Sequence, residues 1–446
     1  MKIKLKKGSK LKIAGATESY VPAAKVIPAL AAICPDDFPG FTPKPAVAAG
    51  EAVCVGSPLL SDKKHPEVKL VSPIAGTVRE IVRGERRRIL RVEIEVNPDG
   101  GASLGFPKAT DAASLRRLLA NSGLLAMMRQ RPYDIVPNPD DTVRDIFVTA
   151  IASAPLEAPV AAPAGKDLES ARAAVKALAS LTEGKVYISH AEGTDFPDIE
   201  GAETVEVAGV HPAGNAGVQI AAIKPVNKGE IVWTLSWDVL LRVGRLLLTG
   251  NVDCSTDVVI AGPEVGKPCV VTTVFGAAIA PLVEGRLKDD GLHKRIISGN
   301  VLTGTATGDG ADAFLRAPYR QITVIAEGDD KDEFMGWASV APSKMSESRA
   351  LPFRWLTKAF SPDARLNGGR RAIIMSGEYD KMIPMDILPE YLIKAIIARD
   401  IEQMEALGIY EVAPEDFALA EYADTSKLPL QQIVRDGLDF LRKELE

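Results

Sequence analysis

The residue types in this chain with the strongest capacity for metal or redox chemistry are its cysteines and histidines, four of each. The cysteines are Cys34, Cys54, Cys254 and Cys269, and no two of them form a Cys-x-x-Cys pair. Such spacing does not support a cysteine-bound zinc ion or iron–sulfur cluster. So few cysteines in 446 residues do not build a disulfide scaffold either. We predict reduced, buried thiols in a cytosolic compartment and no metal site.

Two histidines follow predicted strands. His190 and His211 could lie near one crevice, because the ends of parallel strands gather at the same edge of a sheet. No carboxylate pattern accompanies them, so they are expected to be ordinary hydrogen-bonded loop histidines. The sequence has no recognisable Ser-His-Asp or paired-carboxylate arrangement, and we predict no catalytic residue in this chain.

A phosphate site needs glycines that let backbone N–H groups approach the anion. The chain has no G-x-G-x-x-G or Walker loop, and its nearest candidate is the turn from His211 to Gly217, HPAGNAG, with two glycines. This turn is either a weak anion-binding loop or a plain connection between strand and helix. We favour the plain connection.

Two segments resemble sites of covalent cofactor attachment. Residues 15–19, GATES, partly match the motif at which some bacterial redox subunits carry flavin on a threonine, but Ala14 precedes it where that motif has Asp or Ser. Residues 47–78 resemble the barrel-sandwich hybrid of biotinyl and lipoyl carriers, and Lys63 occupies roughly the hairpin where those carriers attach the cofactor. Lys63 comes only seven residues after Gly56, a tighter hairpin than carriers use. We predict a structural or docking hairpin there.

The composition sets the broad class. A chain of 446 residues with 46% hydrophobic residues and a net charge of −6 is typical of a soluble protein of about three domains, and it excludes a disordered or collagen-like chain. The lysine-rich start, Met1 to Lys12, predicts a half-exposed first strand, and a surface facing anionic lipid or an acidic partner is the alternative. The longest uncharged run, Pro268 to Val283, is shorter than the roughly 20 residues of a spanning helix. We expect no signal peptide, no transmembrane segment and no nucleic-acid partner.

The elements that must position these residues follow from periodicity and turn signals. Predicted helices cover 112–128 with Asp111 as N-cap, 168–181, 237–249 with Ser236 as N-cap, 277–283, 389–407, 414–422 and 430–444. Predicted strands cover 146–151, 186–189, 205–207, 258–261, 268–273, 296–297 and 322–325. The predicted fold is multidomain α/β plus α+β: a barrel-sandwich-hybrid-like β domain over 1–104, a Rossmann-like α/β domain over 105–256, a β-grasp (SLBB-like) domain over 257–328, and a long loop followed by a C-terminal helical domain over 329–446.

Short motifs in every predicted domain match one known family: Ile3–Gly8, Ile13–Ala16, Asp62–Lys64, Pro73, Gly76–Val78, Arg83–Glu85, Arg131–Tyr133, His211–Gly214, Gly262–Pro263, Ile297–Gly299, Val301–Gly304 and Met382–Pro389. Through these residues the sequence resembles, over essentially its whole length, the NqrA family, a family of subunits of the Na+-translocating NADH:quinone oxidoreductase. The resemblance implies a peripheral subunit on the cytoplasmic face of the bacterial inner membrane, within a six-subunit complex that passes electrons from NADH to quinone and drives sodium outward. The other subunits, some of them membrane-embedded, are the implied partners, and we expect the isolated chain to have no activity.

The same domain order is similar to the flavin subunit of respiratory complex I and the RnfC subunit of Rnf complexes. Those relatives have a glycine-rich flavin loop where this chain has residues 123–133, in which only the first glycine, Gly123, remains. They also bind clusters through C-terminal cysteines, whereas residues 420–427 contain none. Side chains in the loop would keep the backbone away from a flavin. We predict a subunit without flavin or cluster, these being carried by partner subunits; the alternative is a flavin- or NAD-binding dehydrogenase subunit of the complex I type.

A subunit without its own cofactor contributes structurally or by binding quinone. A quinone head group needs a partly apolar pocket with one or two polar donors. Arg131 and Tyr133, in the segment that replaces the flavin loop, are the candidate quinone-binding residues. The alternative is that Arg131-Pro132-Tyr133 only packs the altered loop.

Overall fold

The computed structural model describes residues 1–97, 100–307, 313–329, 358–366, 368–373 and 377–445. Its strands are β1 Lys2–Lys4, β2 Pro22–Lys25, β3 Leu30–Ile33, β4 Pro43–Pro45, β5 Ala52–Val53, β6 Pro58–Asp62, β7 Lys69–Val71, β8 Gly76–Arg83, β9 Ile89–Val96, β10 Arg129–Arg131, β11 Asp145–Ala150, β12 Val186–Ala191, β13 Ala202–Ala208, β14 Val232–Ser236, β15 Ser255–Ala261, β16 Cys269–Val274, β17 Lys294–Ser298, β18 Thr305–Ala306 and β19 Gln321–Ala326. Its α-helices are α1 Ala112–Asn121, α2 Gly165–Leu178, α3 Ala216–Ile223, α4 Trp237–Thr249, α5 Ala280–Val283, α6 Glu378–Met382, α7 Pro389–Ala398, α8 Ile401–Ala406, α9 Ala418–Ala423 and α10 Leu430–Leu445.

The first unit is all-β, as the glycine- and proline-punctuated sequence predicts. Its two sheets have the strand orders β3-β9-β8-β5 and β4-β6-β7, and every pairing within them is antiparallel. The apolar residues of β6 and β9 contribute to one hydrophobic core, in which Leu59, Leu60, Val92 and Ile94 are all fully buried.

The second unit is a six-stranded sheet in the order β1-β13-β12-β11-β14-β10. The first five strands run parallel and β10 is antiparallel to β14, which confirms the parallel sheet predicted from alternating strands and helices. Ser236 caps α4 as predicted, its hydroxyl accepting from the Val239 amide at 3.4 Å, and Gly250 at φ 75° ends the helix. Helices α2 and α4 pack closely at Gly244, where a Cβ would come within 1.9 Å of the Ser170 carbonyl oxygen.

The helix predicted over 112–128 is shorter than the periodicity indicates. Asp111 caps it as predicted, accepting from the Ser114 amide at 2.7 Å, but α1 ends at Asn121. Gly123 at φ 78° turns the chain, which continues as the 3-10 helix Leu125–Met127. Buried leucines keep a helical spacing on both sides of the break, so hydrophobic periodicity does not reveal it.

The third unit is a mixed sheet in the order β18-β17-β19-β15-β16-β2. The first residues of the chain supply edge strands to two sheets, because β1 pairs with β13 of the second unit and β2 pairs with β16 of the third. The lysine-rich start is therefore a strand, as predicted, with Ile3 buried between exposed lysines. The predicted boundaries at 104, 256 and 328 stay predictions.

The C-terminal region is helical. The helix predicted over 389–407 is two helices, because Arg399 adopts a left-handed φ of 55° and Asp400 caps a new helix by accepting from the Gln403 amide at 3.1 Å. The long loop predicted to begin at residue 329 falls largely outside the described residues. No helix among those described is long and apolar enough to cross a membrane.

The hydrophobic cores do not correspond one to one with the structural units. One continuous cluster joins the first unit to the second, and it includes Leu60 and Ile94 from the first and Leu125 and Val148 from the second. A separate cluster fills the C-terminal region and takes in Leu11 and Ile13 from the N-terminal segment. The first two units therefore share one hydrophobic core, and the helical region has a core of its own.

Candidate functional site

Residues 123–133, which lack the glycine-rich pattern of a flavin loop, begin in the interior of the protein. At Gly123 a Cβ would lie 3.0 Å from a Val71 methyl group, so the turn packs tightly on β7 of the first unit. The residues that follow are apolar and buried: Leu124 and Leu125 have at most 1% of their surface exposed, and Met128 has none. Side chains thus occupy the space beside this backbone.

The segment then becomes a strand that joins two units. In β10, Gln130 pairs with Trp233 of β14. Arg129 donates from Nη1 to the carbonyls of Ala126 and Met128, both at 3.1 Å, and from Nη2 to the Asp37 carbonyl at 2.8 Å. Its guanidinium therefore fixes the strand against the first unit.

Arg131, predicted to bind quinone, is buried with 1% of its surface exposed. Its guanidinium contacts Asp416 (Nη1 to Oδ2, 3.4 Å) and Glu415 (Nη2 to Oε1, 3.2 Å), and its Nε lies 3.8 Å from Asp134. Burial disfavours the charged guanidinium, but the three carboxylates outweigh it and raise the pKa of Arg131. The side chain is therefore a cation that joins the second unit to the C-terminal region.

Three carboxylates, those of Asp134, Glu415 and Asp416, surround the single positive charge of Arg131. Burial, and after it the neighbouring Asp416, raises the pKa of Glu415 to about 7. Burial also raises the pKa of Asp416, against the opposing effect of Arg131 and of the Ala413 amide, which donates to Oδ2 at 2.9 Å. The Glu415 side chain is 43% exposed, so solvent weakens the effect there, whereas Asp416 is fully buried. A proton held at this cluster reduces the repulsion between its carboxylates.

The HPAGNAG turn also serves this cluster. Asn215 donates from Nδ2 to the Asp416 carboxylate at 3.3 Å and to the Glu415 carbonyl at 3.0 Å. At Gly217 a Cβ would lie 2.3 Å from Asp416 Oδ2, so only glycine fits against that carboxylate. The turn leading into α3 therefore binds the carboxylate of Asp416, which agrees with the interpretation of this turn as a plain connection between strand and helix.

After Arg131 the chain changes direction and brings Tyr133 to a cavity. Tyr133 and Asp134 adopt left-handed φ values of 80° and 52°. Arg435 of α10 holds this turn by donating to both carbonyls, at 2.6 Å for Tyr133 and 3.1 Å for Asp134. The two residues of this turn therefore have different surroundings: Arg131 contacts Glu415 and Asp416, and Tyr133 lies on the cavity wall.

This cavity, of about 590 Å³, lies where the first unit, the second unit and the C-terminal region meet. Its apolar and aromatic wall comprises Phe41, Val68, Pro132, Tyr133, Ile135, Val136, Pro137, Ile231, Tyr410 and Leu445. Its polar groups include Asp62, Lys64, His65, Gln130, Asp141, Lys228, Glu230 and Arg442. A mostly apolar cleft with a few convergent polar side chains is the usual form of a small-molecule site.

Hydrogen bonds fix the rim of the cavity. Tyr410 donates to Glu405 at 2.5 Å, and Lys228 lies 2.6 Å from the same carboxylate. The hydrogen bond from Lys228, and then that from Tyr410, lowers the pKa of Glu405. On the other side Asp62 accepts from the amides of Lys64 and His65, at 2.6 and 3.0 Å, and orders the hairpin that resembles the attachment site of carrier domains.

Of the two histidines predicted as loop residues, His211 lies in a turn, but His190 lies within β12, because that strand continues to Ala191. Both have local partners. His211 Nδ1 lies 3.1 Å from the Ser153 hydroxyl, and burial lowers its pKa to about 4, so it is neutral at pH 7. His190 Nδ1 lies 3.1 Å from the Ala191 carbonyl, and its ring stacks on Phe196 with centroids 5.1 Å apart. Neither lines the described cavity.

The cysteines have no disulfide partners within the described residues. Cys34 and Cys254 are buried, and burial raises their pKa values to about 11 and about 12. Both are therefore neutral thiols near neutral pH, and their burial agrees with the prediction. Cys54 and Cys269 are only partly buried, so the prediction of buried thiols is wrong for these two. Thr17 of the flavin-like motif donates to the Ser19 carbonyl at 2.8 Å, within its own turn.

One group of potential metal ligands has no counterpart among the sequence predictions. His65 and Glu67, on the hairpin of the first unit, approach Asp140 of the second unit, with ligand atoms within 4.8 Å of one another. The two parts are distant in sequence, so spacing gives no signal of the group. All three side chains are at least partly exposed, and we assign no ion to them.

Three family models match consecutive parts of the chain. The NqrA N-terminal barrel-sandwich hybrid domain matches residues 3–97, the NqrA second alpha/beta domain matches 110–252, and the NQRA C-terminal domain, of SLBB type, matches 258–308. These matches define a multidomain α/β protein with a barrel-sandwich hybrid, an α/β domain, an SLBB domain and a helical C-terminal region.

Full-length relatives lead to the same family. The NqrA subunit of the Na+-translocating NADH-quinone reductase of Serratia proteamaculans is 36% identical over 453 residues, covering 99% of this chain and 100% of the relative. The same subunit from Neisseria meningitidis serogroup A is 35% identical with the same coverage, and that of Rhodopirellula baltica is 33% identical over 99% of this chain and 98% of its own. The chain belongs to the NqrA family, as the sequence resemblance indicates.

Similarity to a solved structure is much weaker. An NAD+-reducing [NiFe]-hydrogenase in its H2-reduced state is 13% identical, with a TM-score of 0.37 over 76% of this chain and 62% of the other. No conclusion on fold or function rests on it.

Proposed function

We propose that this chain is the NqrA subunit of a Na+-translocating NADH:quinone reductase complex, in which the other subunits are its partners. The observation that carries the proposal is identity of 33–36% to subunits of that name over nearly the full length of both chains. In finer detail, we propose a peripheral subunit on the cytoplasmic face of the bacterial inner membrane, in a six-subunit complex that couples electron transfer from NADH to quinone with sodium export.

Two fold details belong to this proposal. The second unit is Rossmann-like, supported by the parallel order β13-β12-β11-β14, which places β12 and β13 on one side of β11 and β14 on the other. The third unit is of β-grasp type, supported by a mixed sheet that packs over the short helix α5.

We also propose that the subunit carries no flavin, cluster or metal of its own. The support lies in the segment that replaces the flavin loop. Leu124, Leu125 and Met128 fill the space beside the backbone, and a flavin ring or phosphate placed there would collide with them. The turn at Asn215 and Gly217 already holds Asp416, so a phosphate there would meet a carboxylate. Flavins and iron–sulfur centres are then supplied by partner subunits.

The alternative, a flavin- or NAD-binding dehydrogenase subunit, makes an opposite prediction that is simple to measure. Purified chain should have no visible flavin absorption, and denaturation should release no flavin fluorescence. Its intact mass should equal that of the sequence, because neither Thr17 nor Lys63 is modified. A yellow preparation would replace this proposal with the alternative. A mass above that of the chain would instead show a covalently attached flavin on Thr17 or an acyl group on Lys63.

For quinone, we propose the cavity at the junction of the three parts as the binding site, with Tyr133 in contact with the head group. Its volume of about 590 Å³ and aromatic wall fit a quinone ring, and Tyr133, His65 and Lys64 lie at the wall as polar groups for the carbonyls. Arg131 is not on this wall. Its proposed role is positional: by holding Glu415 and Asp416 it fixes the turn from which Tyr133 projects.

The test is calorimetric titration of the full chain with a soluble short-chain quinone. Saturable binding should weaken about fivefold to thirtyfold in Tyr133→Phe, as expected for the loss of one hydrogen bond of about 1–2 kcal/mol. Tyr391→Phe is the matched control, because Tyr391 is 54% exposed on α7 and does not line the cavity. Absence of saturable binding, or equal affinity in both variants, would remove the quinone site from this subunit.

A further inference from the structure

The hairpin that joins β8 to β9 concentrates positive charge on an acidic chain. Six arginines lie between Arg79 and Arg91, whereas the chain as a whole has a net charge of −6. At its tip, the side chains of Arg83, Arg86, Arg87 and Arg88 are all exposed. We call residues 83–88 the basic hairpin.

The backbone of the basic hairpin is unusual. Arg86 and Arg87 adopt left-handed φ values of 52° and 60°, although neither is glycine or asparagine, the residues that hairpin turns prefer at such positions. The turn is closed by the Gly84 amide, which donates to the Arg88 carbonyl at 2.9 Å, and by Arg83 Nη1, which donates to the Arg87 carbonyl at 3.1 Å. Strained positions of this kind are enriched at functional sites. Two exposed cations thus occupy adjacent positions at the end of the β8–β9 strand pair.

Intramolecular partners do not account for these two arginines. Arg88 is paired with Asp36 at 2.7 Å, and Arg91 with Glu93 at 2.7 Å. Within the described part of the chain, neither Arg86 nor Arg87 takes part in an ion pair. Their charges remain available to a ligand outside the chain.

An apolar side chain accompanies the arginines. Leu90 is 37% exposed, and its methyl groups lie beside Gly84, where a Cβ would approach them to 3.1 Å. Arginine beside an exposed leucine is the combination found on protein surfaces that enter the headgroup region of a bilayer, where guanidinium groups bind phosphates and the apolar chain lies below them.

We propose that the basic hairpin docks this chain onto the phosphodiester headgroups of an anionic lipid surface. The proposal rests on the proposed function, which places the chain beside a membrane as part of a sodium-translocating complex. Arg86 and Arg87 supply forked donors for phosphate oxygens, and Leu90 enters the interface next to them. An acidic protein segment could bind the same charges, but it would leave Leu90 without a role.

The experiment is sedimentation of the full chain with lipid vesicles. We expect binding to vesicles of phosphatidylcholine with phosphatidylglycerol, weakened by salt, and little binding to phosphatidylcholine alone. The double variant Arg86→Glu with Arg87→Glu should bind the anionic vesicles less tightly by about fivefold or more per reversed arginine. Leu90→Ser should weaken binding further without changing its dependence on salt.

The control is Arg117→Glu with Arg172→Glu, two exposed arginines of α1 and α2, which changes the net charge equally. Equal loss of binding in both double variants would mean that total charge alone attracts the chain, and would overturn the proposal. Absence of binding by the unaltered chain to anionic vesicles would do the same. If the hairpin variant instead loses only its association with detergent-solubilised partner subunits, the ligand is protein and the lipid proposal is wrong. NADH:quinone reductase activity of the assembled complex in detergent reports separately on the proposed function.

Discussion

Two interfaces between parts of this protein are held by different interactions, one by apolar contacts and the other by ion pairs. Where the first unit meets the second, Leu70 of the first and Leu124 of the second belong to one continuous apolar core, and Met127 packs against it. Where the second unit meets the C-terminal region, Arg131 meets two carboxylates. Apolar contacts gain stability in proportion to the area removed from water, whereas buried charges depend on each partner being present.

This difference indicates which interface responds to pH. The apolar junction is formed by side chains that do not titrate, so it makes the first two units a single body. The ionic junction depends on pH and on a few named side chains, and the turn it holds carries Tyr133 on the cavity wall. A change at the ionic junction is therefore expected to reach the proposed quinone site, and a change at the apolar junction is expected to affect stability alone.

The largest effect is expected from Arg131→Ala. This change leaves Asp416 buried beside Glu415 without its cation, which should lower the free energy of unfolding by about 4 kcal/mol. Chemical denaturation followed by circular dichroism measures it. Arg131→Lys keeps the charge but loses the forked geometry, so its loss should be smaller. Equal losses in both variants would show that side-chain packing, and not charge, matters at this position.

The apolar junction should respond to the removal of volume. Leu124→Ala should cost about 3 kcal/mol, because a buried leucine leaves a cavity when it is truncated. The loss should be the same at pH 6 and pH 8. Leu124→Met conserves volume and should cost less than about 1.5 kcal/mol. A strong pH dependence of the Leu124→Ala loss would contradict the distinction between the two junctions.

The ionic junction should respond to pH through Glu415. Its pKa is raised in the folded protein to about 7, from an ordinary value of 4.5, because of burial and the nearby Asp416. A raised folded pKa means that this group's contribution to stability is fully present below pH 4.5 and is lost as pH rises through 7. The gain in unfolding free energy from pH 8 to pH 5.5 should therefore be smaller in Glu415→Gln than in the unaltered chain. Glu402→Gln, an exposed glutamate of α8, should leave that gain unchanged.

The smallest effect is expected at the solvent-exposed ion pair between the same two parts. Lys228 and Glu405 lie 2.6 Å apart, but the lysine side chain is 63% exposed. Lys228→Gln should therefore change the free energy of unfolding by about 0.5 kcal/mol or less. A loss comparable to that of Arg131→Ala would show that burial does not decide the strength of these pairs.

The sequence predicts local features of this fold better than contacts between its parts. Asp111 and Ser236 are identifiable as helix caps because each stands directly before an apolar helical pattern. The lack of a glycine-rich flavin-loop pattern in residues 123–133 is also readable from the sequence. The partners of Arg131 are not, since Glu415 follows it by 284 positions and no local pattern marks an arginine that will be buried.

The same limit explains the cavity. Its walls come from three parts of the chain that meet only in the folded protein. Short motifs therefore mark single lining residues, such as Tyr133, Asp62 and Lys64, but not the cavity that they line together. The pairings of β1 and β2 are hidden for a similar reason: short segments at the start of the chain pair with strands more than 200 residues away. The sequence does mark one of these contacts. Asn215 and Gly217, an amide side chain and a small residue at the start of α3, indicate that another group approaches closely there.

The most direct test of a quinone site in this subunit is steady-state kinetics of the assembled complex carrying Tyr133→Phe. We predict a KM for quinone raised about fivefold or more, as expected for one lost hydrogen bond, with an unchanged KM for NADH. Tyr391→Phe should leave both constants as they are. An unchanged KM for quinone in the Tyr133→Phe complex would contradict the assignment of the cavity as the quinone site.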